Sequence, residues 1–199
     1  ADGATLITDI LDELDRVFAE LDGVLDTALI ARFHAQSRAA LNSIEPLLRQ
    51  RSAGGHVRRC HGDLHLRNLV MLGGKPVPFD ALEFDEVLGT CDVLYDLAFL
   101  IMDLRHRALD RAANIVLGSY LLAAIGNEDN GLATLPLFIA VRAAIRAMVV
   151  AQTALATGSP IDKDATLYRD EALAVLSPPE PVLVLIGGVW GRGKTTVAQ

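Results

Sequence analysis

Apolar residues near the start of the chain recur every three or four positions, with acidic residues between them. That spacing predicts an amphipathic helix over residues 6–21. A second helical pattern covers roughly residues 24–41. Ser43 then has the character of an N-cap, Pro46 is tolerated in a first helical turn, and the glycine pair at 54–55 is typical of a helix end. We therefore expect a third helix to begin at Ser43.

The periodicity changes at His56, where short runs favour strands. "HVRRC" suits one strand, and "NLVML", a glycine pair and "KPVPF" predict a β-hairpin, because paired glycines supply the positive φ of a two-residue turn. A turn at Gly73-Gly74 pairs Leu72 with Lys75 and therefore places Asn68 opposite Phe79. In this register the two prolines of "KPVPF" lie on the outer edge of the hairpin, where a missing N–H is tolerated.

Helical periodicity returns from about residue 92 to residue 176, in four segments separated by Gly, Asn and Pro. "SPPE" at 177–180 is a rigid linker that is incompatible with a helix. The run "PVLVLIGG" that follows is apolar and β-branched, as in a buried parallel strand. We therefore predict a mainly helical α+β domain over 1–176, a linker over 177–180 and the start of an α/β domain over 181–199.

The composition is that of a globular protein, since 51% of the 199 residues are apolar and 22% are charged. A net charge of −7 argues against a nucleic-acid partner, which would need a basic face. The two cysteines lie far apart and suit free thiols in a cytoplasmic protein, and the acidic start lacks a secretory signal. Leu135–Leu155 is the most apolar stretch, but Arg142 and Arg146 at its centre predict a buried helix and no membrane span.

The candidate chemistry lies in "HGDLHLRN" at 61–68 and in the hairpin after it. Because cross-strand neighbours lie ~5 Å apart, Asn68 and Asp80 are expected to leave the open end of the hairpin together. An amide oxygen and a carboxylate suit Mg²⁺, a hard cation that takes oxygen ligands. Asp63 lies five residues before Asn68, close enough to act as a base beside such a metal.

These residues resemble the catalytic loop of the protein-kinase-like fold, HxDxxxxN followed by a metal-binding Asp after a short hairpin. More narrowly, "CHGDLHLRN", "FDALEFDE" and "CDVLYDLAFL" resemble the aminoglycoside phosphotransferase family, whose usual forms are HGDLHPGN, IDFGD and DPxYDLA. The resemblance covers residues 1–176 as the C-terminal lobe of such a kinase. It implies an ATP-dependent enzyme that uses Mg²⁺.

The resemblance also assigns roles to individual residues. Asp63 would be the base that orients a substrate hydroxyl, and Asn68 and Asp80 would hold Mg²⁺. His65 would lie near the transferred phosphate. The loop and the following helix would be braced by His61, Asp92 and Asp96. For Asp92 we expect a helix N-cap and for Asp96 a buried hydrogen-bonding acid, without a part in the chemistry. We expect Arg142 and Arg146 to form ion pairs with the acids of this region.

The chain departs from the family pattern at two points. Leu66-Arg67 replaces Pro-Gly, and Ala81-Leu82 follows Asp80 where Phe-Gly is typical. In addition, no glycine-rich loop and no strand lysine precede His61 in the sequence. We therefore expect the lobe that covers ATP to lie before Ala1, and the 199-residue piece itself to bind ATP poorly and to be inactive.

A second phosphate-binding motif lies near the end of the chain. "GVWGRGKT" at 188–195 fits G-x-x-x-x-G-K-[ST] and directly follows the predicted strand, which is the context that this motif requires. Backbone N–H groups around Gly188, Gly191 and Gly193 would surround phosphate oxygens. Lys194 would reach the β- and γ-phosphates and Thr195 would bind Mg²⁺. The remainder of this P-loop domain is expected beyond Gln199.

The order of the two motifs resembles bacterial fusions of an aminoglycoside-phosphotransferase-like domain with a P-loop ATPase or kinase domain. The first hypothesis is therefore a transfer of the γ-phosphoryl group of ATP to the hydroxyl of a small molecule, with ATP and that acceptor as the partners. The alternative is a kinase-like domain that binds a ligand or regulates, with catalysis left to the P-loop domain. Retention of Asp63, Asn68 and Asp80 together favours the first.

Overall fold

The part of the chain that the computed structural model describes comprises residues 2–21, 24–82 and 89–177. It is mainly helical, with two small antiparallel sheets, which confirms the α+β class. Two short 3-10 helices, Leu66–Asn68 and Asp129–Thr134, lie between the longer elements. In chain order these elements are α1 (Gly3–Glu20), α2 (Thr27–Ala53), β1 (Val57–Arg59), β2 (Leu69–Leu72), β3 (Lys75–Pro78), β4 (Thr90–Asp92), α3 (Val93–His106), α4 (Asp110–Ala123), α5 (Leu135–Thr157) and α6 (Lys163–Leu176).

The first helix forms where its apolar stripe predicts it. Asp2 caps α1 by accepting a hydrogen bond from the backbone N–H of Ala4 at 3.2 Å, so the helix begins three residues earlier than residue 6. Its buried side chains recur at spacings of three and four and pack against α2 and α5: Ile7, Leu11, Leu14 and Phe18.

The prediction of a helix start at Ser43 is wrong, because α2 runs without interruption from Thr27 to Ala53. The Ser43 hydroxyl donates to the carbonyl of Ala40 at 2.7 Å, inside the helix. A proline within a helix costs about 3 kcal/mol. Burial of Phe33, Leu41 and Leu48 along the same helix stabilises it by roughly 1.5–3 kcal/mol for each side chain and offsets that cost.

Both small sheets are antiparallel pairs of short strands. β1 pairs with β4, and β2 pairs with β3 with Leu72 opposite Lys75, which confirms the predicted hairpin register. Gly73 and Gly74 have φ of +57° and +78°, the left-handed conformation that a two-residue hairpin turn requires. The Phe79 N–H donates to the Asn68 carbonyl at 3.0 Å, so the two strands are still paired where the hairpin opens.

The four helices predicted after residue 92 are present, and α3 and α5 form the centre of the core. α5 packs against both α3 and α6, and its small residues allow close approach of its neighbours. The helical stretch Asp129–Thr157 is long and apolar enough to cross a membrane by length and composition, but its most apolar window is 61% buried in the fold. Such burial is typical of the core helix of a soluble protein.

Several predicted features lie outside the described residues. α6 ends at Leu176, next to the predicted domain boundary. Most of the 177–180 linker, the strand after it and the P-loop motif belong to residues 178–199, which are not among those described. The roles of Gly188, Gly191, Gly193, Lys194 and Thr195 therefore stay predictions.

Candidate functional site

The segment 61–68 connects β1 to β2 and is fastened at its start to α3. The Asp96 carboxylate accepts hydrogen bonds from the backbone N–H groups of His61, at 3.1 Å, and of Gly62, at 2.8 Å. Asp96 lies in the first turn of α3 and is only 8% exposed. Hydrogen bonds to a buried carboxylate are among the stronger ones in proteins, so this acid fixes the beginning of the loop.

A second buried acid of α3 fixes the far part of the same loop. The Asp103 carboxylate accepts from the Leu66 N–H at 2.9 Å and from the Arg107 guanidinium at 3.2 Å. Seven residues separate Asp96 from Asp103, which places them on one helix face about 10 Å apart along the axis. Between them, Phe99 contacts the His65 ring edge-on, with 5.1 Å between ring centroids. Sequence reasoning missed Asp103, although an acid two turns after Asp96 in an apolar run was a signal for it.

Gly62 is required by both its conformation and its surroundings. Its φ is +82°, and a Cβ at this position would lie 2.7 Å from a side-chain carbon of Leu82. The Leu82 N–H donates to the His61 carbonyl at 2.9 Å, which holds Leu82 over the loop. Leu82, one of the two residues after Asp80 that differ from the resembled pattern, therefore packs on Gly62, directly before Asp63.

Arg142 supports the loop from α5. Its guanidinium donates to the carbonyls of Gly62 and Tyr95, both at 3.3 Å, and lies 3.9 Å from the centroid of the Tyr95 ring. The expectation of ion pairs with the acids of the site is wrong for the described residues, where Arg142 uses backbone carbonyls and an aromatic face. Arg146 lies 5.8 Å from the Tyr168 ring centroid instead.

The Asp63 carboxylate is bonded to Asn68, lies beside His65 and remains open to solvent. One of its oxygens accepts from the Asn68 side-chain amide at 2.9 Å and lies 3.3 Å from His65 Nε2. His65 Nδ1 accepts from the backbone N–H of Arg67 at 3.2 Å, which leaves the ring proton of the neutral histidine on Nε2, the nitrogen beside Asp63. The Asp63 side chain is 39% exposed, whereas Asn68 is buried. This arrangement orients a carboxylate toward the outside of the protein.

Asp80 leaves the hairpin beside Asn68. Its neighbour Phe79 donates its N–H to the Asn68 carbonyl, and the Phe79 carbonyl accepts from His61 Nε2 at 2.9 Å. Asp80 itself is exposed and has a φ of +60°, a left-handed conformation that Asp tolerates better than most residues. The structure thus brings Asn68 and Asp80 to the same end of the hairpin, with His61 bonded to the residue between them.

The donor set at this end of the hairpin fits a hard cation. Because the Asn68 Nδ2 group donates to the Asp63 side chain and to the Asp63 carbonyl, the amide oxygen is the Asn68 atom left for a metal. An amide oxygen and one carboxylate suit Mg²⁺, which commonly takes few protein ligands and keeps water or phosphate oxygens. Within the described residues no group of three or more His, Cys, Asp or Glu side chains could hold a metal ion.

A buried ionic network joins α2 to the start of α3, and sequence reasoning missed most of it. Arg51 is completely buried and donates to both Asp92 oxygens, at 2.7 and 2.8 Å, and to Glu128 at 2.7 Å. Glu128 also bonds His56 Nδ1 at 3.0 Å, and Asp92 caps α3 through the Leu94 N–H at 2.9 Å. The partners of Arg51 lie 41 and 77 residues away, so no local spacing could reveal them.

The opposite charges of this network stabilise one another's charged forms. Burial by itself would lower the pKa of Arg51, but its hydrogen bonds to Asp92 and Glu128 raise that pKa above its usual value. Burial by itself would raise the pKa of Glu128, but the bonds from Arg51 and His56 lower it below the usual value. Arg51 and Glu128 are therefore both charged at neutral pH, and α2 is bonded electrostatically to the segment before α5.

A cavity of about 690 Å³ opens where the loop ends. Its lining includes Arg67 from the 3-10 helix at the end of the loop, Arg107 at the C-cap of α3, and Arg146 of α5. Tyr168 of α6 forms another part of the wall and stacks on His106 with 3.6 Å between ring centroids. Burial raises the pKa of the Tyr168 hydroxyl, which keeps this group neutral and able to donate a hydrogen bond.

Comparison with known proteins finds uncharacterized relatives. The chain is 32% identical over 182 residues to an uncharacterized protein of Mycobacterium bovis and, equally, to uncharacterized proteins of two Mycobacterium tuberculosis strains. The match covers 89% of this chain and 35% of each relative, so the chain spans about a third of the length of these curated relatives. No family model and no solved structure matches the chain.

Proposed function

We propose that this chain belongs to an ATP-dependent phosphotransferase that moves the γ-phosphoryl group to the hydroxyl of a small molecule. The observation that carries the proposal is the Asp63 carboxylate, which is bonded to Asn68, lies beside His65, is open to solvent and belongs to a loop that two buried acids of α3 fix in place. An oriented, accessible carboxylate on a firmly anchored loop is the arrangement that a base needs in order to reach a substrate hydroxyl.

In this proposal Asp63 orients the acceptor hydroxyl and receives its proton. The hydroxyl oxygen attacks the γ-phosphorus, the bond from that phosphorus to the β,γ-bridging oxygen breaks, and ADP leaves with the electron pair. His65 Nε2 lies 3.3 Å from the Asp63 oxygen that Asn68 holds with its side-chain amide, so the carboxylate is positioned from within its own loop. Asn68 and Asp80 would bind Mg²⁺, which supplies charge neutralisation at the transferred phosphate when it is bound.

The same proposal extends to the residues outside the described part of the chain. The P-loop motif with Lys194 and Thr195 would bind a second ATP in an adjoining domain. The lobe that covers the first ATP would belong to the longer protein, in keeping with relatives about three times the length of the match. We propose a cytoplasmic enzyme with ATP, Mg²⁺ and a small hydroxylated acceptor as its ligands, and without a nucleic-acid or membrane partner.

One observation favours a second candidate, a kinase-like domain that binds a ligand or regulates without catalysis. Leu82 occupies the region where the family has a glycine, and it packs directly on Gly62 beside the loop. A segment fixed in this way cannot rearrange easily around a nucleotide. Under this candidate the chemistry belongs to the P-loop domain alone.

The test is the transfer of radiolabelled γ-phosphate from ATP by the full-length protein to a panel of hydroxylated metabolites. Asp63→Asn keeps the size of the side chain and removes the base, so transfer should fall by roughly 10²–10⁴-fold. The matched control is Asp170→Asn, an exposed acid of α6 that should retain full activity. If Lys194→Ala abolishes all transfer and Asp63→Asn changes none of it, the second candidate is correct and the first is wrong.

A further inference from the structure

The cavity beside the loop has a floor made by one face of α5. Arg146, Val150, Thr153 and Thr157 line it at spacings of three and four residues, which puts them on the same side of the helix over three turns. The hydroxyls of Thr153 and Thr157 donate to carbonyls within α5, so the methyl groups and the aliphatic side chains give this floor an apolar character. Among the α5 residues that line the cavity only Arg146 is charged, and it lies at the N-terminal end of this floor.

Three arginines from three separate segments line the cavity. Arg67, Arg107 and Arg146 lie about forty residues apart in sequence, so helical periodicity does not explain their meeting. Arg107 shares the Asp103 carboxylate and remains 44% exposed. Across residues 2–21, 24–82 and 89–177, neither Arg67 nor Arg146 forms an ion pair. Two guanidinium groups without a carboxylate partner among these residues and a third that shares one thus converge on this cavity, and arginine clusters are typical of sites for phosphate or carboxylate groups.

The two acids of the cavity lie at its other end. Asp162 caps α6 by accepting from the Asp164 N–H at 3.1 Å, and both acids follow the end of α5. Arg146 precedes Thr157, the last residue of α5, by eleven residues, or about 16 Å along the helix axis. The arginine end is therefore separated from the acidic end by most of the length of the cavity floor. It is the arginine end that adjoins the loop.

Two of the arginines are coupled to the residues that position Asp63. The backbone N–H of Arg67 donates to His65 Nδ1, and the Nε2 atom of the same ring lies 3.3 Å from the Asp63 carboxylate. Arg107 bonds Asp103, which also holds the Leu66 N–H. The arginine end of the cavity is therefore joined, through His65 and Asp103, to the loop that carries Asp63.

Building on the proposed phosphotransfer at Asp63, we propose that this cavity selects the acceptor by an anionic oxygen group. The acceptor class is then a hydroxylated phosphate ester or a hydroxylated carboxylic acid, and a polycationic acceptor is disfavoured. Arg67, Arg107 and Arg146 bind the anion, Tyr168 can donate one further hydrogen bond, and the apolar floor of α5 contacts the carbon skeleton.

The first experiment measures binding without catalysis. Inorganic phosphate, a sugar phosphate and gluconate are titrated calorimetrically into the full-length protein without ATP. At least one of these probes should bind, and Arg146→Gln should weaken that binding about tenfold or more. Arg105→Gln is the matched control, because Arg105 lies on α3 and lines a different cavity. If Arg146→Gln binds every probe as the wild type does, the anion site is refuted, and the Asp63 result still decides the proposed function by itself.

The second experiment measures selection during transfer. With an anionic acceptor, Arg146→Gln should raise KM about tenfold and leave kcat nearly unchanged, whereas a neutral analogue of that acceptor should react equally with both proteins. Arg146→Lys should recover part of the loss, because it restores the charge without the planar guanidinium. Equal loss with the anionic and the neutral acceptor would overturn the proposal. Arg146-dependent binding of an anion that is never phosphorylated and does not compete with the acceptor would also overturn it.

Discussion

Asp96 and Asp103, two turns apart on α3, hold the beginning and the end of the loop that carries Asp63. The helix therefore fixes the distance between the two anchored ends of the loop, because helix geometry sets the spacing of the two carboxylates. Phe99 lies between them and supports His65 from the same face. The position of Asp63 thus depends on a rigid helix, in addition to the support of the loop by Arg142 and the Asn68 amide.

Asp103→Ala should destabilise the protein and impair the proposed transfer. The substitution leaves the Leu66 N–H without its buried acceptor, a loss of about 1–3 kcal/mol in the free energy of unfolding. Urea titration followed by circular dichroism measures this loss. Asp170→Ala, which removes an exposed acid of α6, should change the same quantity by less than about 0.5 kcal/mol. Equal effects of the two substitutions would contradict the anchoring role of Asp103.

Two arginines of α2, two residues apart in sequence, should differ strongly in their contribution to stability. Arg51→Met leaves Asp92 and Glu128 buried without their cation and should lower the free energy of unfolding by about 3–5 kcal/mol. Arg49→Met breaks exposed pairs with Asp2 and Glu45, which water screens, and should lower the free energy of unfolding much less. Chemical denaturation of both variants under identical conditions gives the comparison. A loss below 1 kcal/mol for Arg51→Met would show that the network contributes little.

The Glu128 carboxylate should make the stability of the protein depend on acid pH. Its hydrogen bonds hold its pKa below 4.5 in the folded state, so its stabilising contribution is present above that pH and is lost as the pH falls through the folded pKa. The free energy of unfolding, measured by urea titration from pH 7 to pH 3, should decline on the acid side. Glu128→Gln should be less stable at pH 7 and should show a shallower decline. An identical slope in both proteins would exclude this group as a source of the acid sensitivity.

Two glycine-to-alanine substitutions should have opposite signs. A Cβ at Gly131 would lie 2.4 Å from both an Arg51 guanidinium nitrogen and a Leu94 methyl group, so Gly131→Ala should destabilise the protein by about 1–3 kcal/mol. A Cβ built at Gly118, inside α4, would have no atom outside the local backbone within 4 Å. Gly118→Ala should therefore stabilise by about 0.5–1 kcal/mol through helix propensity. Thermal unfolding distinguishes the two, and a stabilised Gly131→Ala protein would contradict the packing around Arg51.

The two cysteines should differ in reactivity although they are neighbours in space. The hydrogen bond with the Cys91 thiol lowers the pKa of Cys60, and the same bond together with burial raises the pKa of Cys91. Cys60 is partly exposed, whereas Cys91 is completely buried. Brief alkylation of the native protein, read by peptide mass spectrometry, should modify Cys60 and spare Cys91 until the protein unfolds. Cys60→Ser should abolish native-state labelling, and labelling of Cys91 in that variant would contradict the prediction.

The hairpin and the helices after residue 92 could be predicted because their determinants are local. Gly73-Gly74 sets the turn and hence the register that brings Asn68 to Phe79, and apolar periodicity marks each helix. The continuity of α2 could not be predicted, because it depends on tertiary contacts. Burial of Phe33, Leu41 and Leu48 against other elements outweighs the local helix-start signals at Ser43 and Pro46.

The site itself was predictable only in part, for a related reason. Asp63, Asn68 and Asp80 lie in one short stretch with recognisable spacing, and the structure places them around one hairpin end. Asp103 and Arg51 act through partners 37 and 41 residues away, and the meeting of Arg67, Arg107 and Arg146 depends on the packing of α3, α5 and the loop. Such contacts arise from tertiary structure and leave no local pattern.

One oxygen atom of Asp92 joins two parts of the protein that are distant in sequence. It accepts from the Leu94 N–H at the start of α3 and from the Arg51 guanidinium near the end of α2. Opening the first turn of α3 therefore withdraws a carboxylate from the buried Arg51, and withdrawing α2 leaves the capping carboxylate of α3 without its cation. The amide protons of these two helix ends should exchange with solvent in a single cooperative event. The loop that bears Asp63 follows β1, whose Val57 pairs with Asp92, so the order of the loop is tied to this junction.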